Sequence, residues 1–285
     1  MEAANLHDWI NTTRYPLGNI DNANLQQMIA RVRAQLTRTG CAVLAEFIRP
    51  EALADMASEA AALAPRAHFT HAQATVYGGE PDDSFPGGHP RNRTLTRENG
   101  FVAGDYIGAE TGLRRMYHSV ELKRFLAACL GTDEIHEFGD PLAQLVVNVI
   151  KPNAKHAWHF DSNEFVITIL TQKADQGGVF EYVPNIREAN AENYEAVQAV
   201  VEDRFSGTHT LDLRPGDLQI FFGRYSLHRV RETAGERDRH TAILAYSKQP
   251  GMLGKPEKTA KIFGRTLASH DAVENQRARE DHLTD

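Results

Sequence analysis

An α+β fold, with helices first and a jelly-roll barrel of short strands after them, is what this sequence predicts. Three observations carry that reading. Apolar residues recur at helical spacing through the first part of the chain. From residue 140 onward, short β-branched and apolar runs alternate with Gly, Pro and Asn turns. No internal repeat and no second set of core-forming segments is present, so the 285 residues are read as one domain. Its parts are a helical support over about 20–131, a barrel core over about 140–250, and a polar tail over 266–285.

Leu25, Met28, Ile29, Val32 and Leu36 mark the first helix, over 24–39, and Gly40 provides its stop. Residues 41–48 predict a short strand. Pro50 opens a second helix, which Pro65 ends. Residues 66–112 are rich in Gly, Pro, Asp and Asn and predict a long loop region, a lid or a surface excursion. His89, Arg91, Arg93 and Arg97 make it locally positive, as a solvated face would be. Ser119 caps a third helix, Glu121 suits its first turn and Gly131 ends it. Residues 140–150 become continuously apolar, as in a buried strand. Gly177-Gly178 marks a turn before a strand at 179–183, and 188–207 predict a polar helical insert. A strand at 208–213 turns at Pro215-Gly216 into another at 219–222. The end of the tail, 271–285, is charged and predicted to fray.

Composition narrows the function. Hydrophobic content of 41% and charged content of 24% suit a globular protein, and a net charge of −7 argues against a nucleic-acid partner. No run of apolar residues is long enough for a membrane span, and the N-terminus lacks a signal-peptide pattern. Cys41 and Cys129 form no C-x-x-C pair and read as small core residues in a reducing cytoplasm.

The chemistry concentrates in one stretch, His156-Ala157-Trp158-His159-Phe160-Asp161, which runs into the apolar segment 165–170. With period two, His159 and Asp161 fall on one face of a strand. A His-x-Asp pair alone is commonplace. A second imidazole, His228, would complete two nitrogens and one carboxylate on a triangular face, leaving three positions open. That suits Fe(II) and oxygen chemistry. A short turn later comes Arg239, at the head of an apolar strand, whose fork of donors can hold a dicarboxylate.

His-x-Asp, a long insert, His, then Arg-x-Thr resembles the Fe(II)/2-oxoglutarate-dependent dioxygenase superfamily. The resemblance implies a double-stranded β-helix of the cupin-like jelly-roll type, with Fe(II), 2-oxoglutarate and O2 as metal and cosubstrates. The metal ligands would be His159, Asp161 and His228. Arg239 would hold the distal carboxylate of 2-oxoglutarate, with the Thr241 or Thr168 hydroxyl as second donor. Segments 140–143, 158–165, 178–184 and 223–230 are similar to a narrower branch, the free-amino-acid radical halogenases and their hydroxylase relatives, some acting on lysine. In the halogenating members a small residue replaces the metal carboxylate. Here Asp161 stands there, so hydroxylation of lysine or a similar amino acid is implied, with release of succinate and CO2. The branch also implies a pocket histidine at His156, an acid for the substrate amine at Asp140 or Glu137, and a carboxylate site at Arg91 and Arg93. Alternatives are the same chemistry on another small acid or an acyl-thioester, as in phytanoyl-CoA hydroxylase relatives, or a non-catalytic metal-binding barrel. A homodimer is left open.

Overall fold

The computed structural model describes residues 6–271 and 281–284. The architecture is mixed α/β and rests on two antiparallel sheets. The larger runs in the order Cys41–Leu44, Leu218–Phe221, Val166–Gln172, Arg239–Leu244, Leu145–Ile150, Gly100–Val102, His68–Phe69. The smaller runs His209–Leu211, Phe180–Val183, Leu227–Val230, His156–His159. Sheet neighbours come from distant parts of the chain because the chain keeps crossing over. Leu145–Ile150 leads to His156–His159 in the smaller sheet, then to Val166–Gln172 in the larger and Phe180–Val183 in the smaller.

Strand alternation decides what each face buries. Ile167 and Ile169 join the main core with Leu25, Ile29, Val32 and Leu36 of helix Ala23–Thr39 and with Leu122, Phe125 and Leu126 of helix Val120–Leu130. Each such side chain contributes about 1.5–3 kcal/mol when fully buried. Leu170 belongs to a second cluster, with Phe180, Tyr182, Phe221 and Val230, that draws on both sheets. The helix ends follow the sequence: the Asn22 side chain accepts from the Asn24 and Leu25 amides, and Gly40 closes the helix at φ 63°. Ser119 likewise accepts from the Leu122 amide.

Four local expectations are corrected. The strand predicted over 41–48 stops at Leu44, because the chain turns through Glu46 at φ 55°. The region 66–112 is not a plain loop. Strands His68–Phe69 and Gly100–Val102 extend the larger sheet, Ala72–Ala74 pairs with Leu95–Arg97, and Val76, Tyr77 and Val102 are buried. These strands are too short to show an alternation of their own and pack on a core made elsewhere. The insert at 188–207 is helical only over Tyr194–Val201, because Glu188 and Ala191 close a tight turn before it. In the tail predicted to fray, 281–284 is docked with Leu283 buried; 272–280 and 285 lie outside the described residues. Among the described residues no helix is long and apolar enough to cross a membrane.

Candidate metal centre

Strands His156–His159 and Leu227–Val230 lie side by side with His159 opposite His228, and the register shifts directly after that pair. The strand ends at His159. Asp161 therefore lies beyond it and not on its face, and its amide donates to the Gly223 carbonyl at 3.0 Å. The bend still delivers the carboxylate. His159 Nε2 and His228 Nε2 stand 3.8 and 3.5 Å from the same Asp161 Oδ1. One ligand atom from each of the three residues lies within 4.8 Å of the others, so the group can hold one ion.

The backbone fixes both imidazoles. His159 Nδ1 is 2.8 Å from the Ala157 carbonyl, and His228 Nδ1 is 3.0 Å from the Ser226 carbonyl. A carbonyl only accepts, so Nδ1 carries the proton in both rings and Nε2 presents a lone pair to the centre. Burial, then the neighbouring His156 and His228, pushes His159 well below its ordinary pKa, which keeps it neutral as a ligand must be. Burial would raise the Asp161 carboxyl. His228, by charge and hydrogen bond, then His159 and Lys258, outweigh it and hold it at about 2.

Arg239 is 4% exposed. Its Nε donates to the Gly178 carbonyl at 3.0 Å and its Nη1 to the Thr241 hydroxyl at 2.5 Å. Burial alone lowers its guanidinium to about 10, and among the described residues no carboxylate pairs with it. A buried cation without an anion is costly, which is the condition a bound carboxylate relieves. A cavity of about 140 Å³ opens beside it, lined also by Leu170, Phe180 and Leu213. The Phe180 ring is 5.7 Å from the His228 ring, so one side chain touches both the cavity and the metal group. Thr241 accepts from Arg239 and keeps its own proton for a further acceptor. Thr168 instead donates to Gln219 Oε1 at 3.0 Å, so its proton is committed away from Arg239.

The remaining expected residues separate. His156 stacks on His159 at 3.8 Å and lines the centre. Asp140 does not: it is fully buried, pairs with His270 Nε2 at 2.9 Å and caps the Leu142 amide at 2.8 Å. Glu137 binds His118 at 2.9 Å and Lys123 at 2.7 Å. Arg91 pairs with Asp82 at 2.9 Å over the rings of Tyr77 and Phe85, and Arg93 pairs with Glu202 at 3.2 Å. Arg97 belongs to the same positive cluster, but sequence reasoning did not single it out. Burial depresses its pKa and the charge of Asp161 opposes that, while its own charge acts on His156 and His159. Spacing from the metal motif held no signal for it, since the pairing of Ala72–Ala74 with Leu95–Arg97 is what sets its place.

The family profile named Halogenase D matches residues 89–260, more than half of the chain. The chain belongs to the Halogenase D family. Among the solved structures that share its fold are two from one biosynthesis. One is the non-haem alpha-ketoglutarate-dependent epimerase SnoN from nogalamycin biosynthesis, at 14% identity and a TM-score of 0.53, covering 77% of this chain and 82% of that one. The other is the carbocyclase SnoK from the same biosynthesis, at 12% identity and a TM-score of 0.52, covering 76% and 82%. No curated protein matches. A Halogenase D member with this fold thus carries a His159–Asp161–His228 group that can hold one metal ion.

Proposed function

We propose that the protein hydroxylates an unactivated C–H bond of a free amino acid, with 2-oxoglutarate as cosubstrate. The reading includes one catalytic domain whose two sheets form a double-stranded β-helix of the jelly-roll type. A single observation carries the reaction type: the carboxylate of Asp161 meets both imidazole Nε2 atoms at one point. In this family's halogenating branch a small residue at that position leaves room for a halide. Here the place is taken.

His159, Asp161 and His228 would hold the iron through Nε2, a carboxylate oxygen and Nε2. Bound iron supplies oxygen activation coupled to loss of CO2 from the oxo acid. The protein's share is orientation and exclusion of water. Arg239 would bind the distal carboxylate of 2-oxoglutarate, with the Thr241 hydroxyl as second donor. The Arg97 guanidinium, whose charge acts on Asp161 and His156, would take the carboxylate of the amino acid. The His156 ring would wall the space between them. Lysine heads the substrate panel because of the branch this sequence resembles. Asp140 and Glu137 are engaged elsewhere, so neither serves a side-chain amine, and the panel spans basic, neutral and acidic amino acids.

The test is anaerobic loading with Fe(II) and 2-oxoglutarate, followed by air and single free amino acids. Expected are stoichiometric succinate and a product sixteen mass units heavier. No coupled succinate across the panel sinks the amino-acid class. The family's name favours a second reading, halogenation. The wild-type product formed with chloride present separates the two, since only halogenation adds chlorine to it. Asp161→Gly tests the ligand: hydroxylation is lost in that variant if Asp161 is a ligand, and unchanged hydroxylation removes it from the metal site.

A further inference from the structure

The two histidines are held by carbonyls two residues back in the chain, but Asp161 sits in a bend and needs support from outside it. That support leads to the C-terminal segment. We propose that residues 281–284 are a positioning element of the metal centre, fixing Asp161 through two buried arginines. The proposal rests on the reading of Asp161 as a metal ligand.

Two routes converge on the bend. The first runs through the turn at Gly223-Arg224. The Gly223 carbonyl accepts the Asp161 amide, and a Cβ at Gly223 would lie 2.6 Å from Asp161 Cγ, so this backbone is the wall behind the carboxylate. The next residue, Arg224, is 1% exposed and forks onto both Asp281 oxygens, Nε to Oδ2 and Nη2 to Oδ1. It also donates to the Leu283 carbonyl at 3.2 Å. The second route runs through Arg187, also 1% exposed. Its guanidinium lies 3.7 Å over the ring of Phe160, the residue before Asp161. Its Nε donates to the Arg224 carbonyl at 2.6 Å and its Nη1 to the Thr284 carbonyl at 3.1 Å and Glu192 at 3.0 Å. Glu192 in turn accepts the Thr284 amide. The tail thus supplies anchors to both arginines, and each arginine touches a neighbour of the ligand. Paired, hydrogen-bonded charges in a buried site have one good arrangement, and deleting a partner disturbs the rest.

Outer groups that orient a metal ligand cost about 10–100-fold in metal affinity when removed. The experiment titrates the full chain with Mn(II), reading the free ion by electron paramagnetic resonance at a temperature where each variant is folded, and records thermal midpoints alongside. Asp281→Asn is expected to bind Mn(II) about tenfold more weakly, with part of the loss recovered in Asp281→Glu. Should Asp281→Asn fail to fold, Glu192→Gln is the milder probe, with a several-fold loss expected. Leu126→Ala, on the buried face of helix Val120–Leu130, is the control: it lowers the midpoint and keeps the affinity. Wild-type affinity in both tail-contact variants overturns the proposal, as does an equal loss in Leu126→Ala. Undiminished binding by Asp161→Ala overturns the ligand reading itself, and the proposal with it.

Discussion

The two kinds of side chain proposed to hold the metal are held in opposite ways. His159 and His228 take their orientation from carbonyls two residues back in the chain. Asp161 takes its orientation from Gly223, and Phe160 beside it packs on Arg187. The first device is local in the chain. The second is assembled only when distant parts of the chain have met. The difference teaches where the centre is rigid by construction and where it depends on tertiary packing, and substitutions can break the two halves separately.

The largest effect belongs to the local half. His228→Ala removes one of the two nitrogens proposed to hold the ion, and metal affinity should fall by more than about a hundredfold, beyond the range of changes to supporting groups. A Mn(II) titration checks it, and a wild-type affinity would remove His228 from the centre. Next comes Arg239→Met. It deletes the buried cation that no described carboxylate pairs with, and apparent affinity for 2-oxoglutarate should weaken by about 2–5 kcal/mol, the usual cost of truncating one partner of a buried charge pair. Metal affinity measured without 2-oxoglutarate should hold. If the cosubstrate constant is unmoved, the carboxylate is held elsewhere.

The supported half gives a smaller and more graded effect. Gly223→Ala puts a methyl group where the Asp161 carboxylate lies, 2.6 Å from Cγ. The carboxylate must turn away, so Mn(II) affinity should drop about 10–100-fold. The imidazoles should keep their tautomers, because their carbonyl partners are not touched. A change in the imidazole Nδ1–H resonances of His159 or His228 as large as the change at Asp161 would mean that the two halves are not separable.

That division also marks what the sequence could reveal. The helices at Ala23–Thr39 and Val120–Leu130 were legible because their apolar spacing and caps are local. His159, Asp161 and His228 were legible as residue types suited to one ion, although the strand expected to carry Asp161 ends two residues before it. Asp140 was misplaced for an instructive reason. An acid near the motif in sequence looks available, whereas His270, 130 positions away, and the Leu142 and Gly254 amides occupy it. Arg91 and Arg93 were preferred over Arg97 with nothing local to separate them. Only folding separates them: Arg91 and Arg93 meet Asp82 and Glu202, whereas the charge of Arg97 reaches Asp161 and His159. Residues 281–284 read as a polar end because their role lies in what Arg187 and Arg224 reach.

Arg97 supplies the smallest and most discriminating test. Its charge acts on Asp161, His156 and His159, so it sits close enough to matter to an ion as well as to a substrate. The two roles have opposite signs. As a substrate anchor, Arg97→Met should raise KM for the amino acid by about tenfold, near 1.4 kcal/mol, within the range of one charge-assisted hydrogen bond. As a cation beside a dication, its removal should leave Mn(II) affinity level or slightly higher, because a repulsion is relieved. A higher KM with undiminished metal affinity places Arg97 on the substrate side. Weaker metal binding in the same variant would make it a structural brace for the Leu95–Arg97 strand instead.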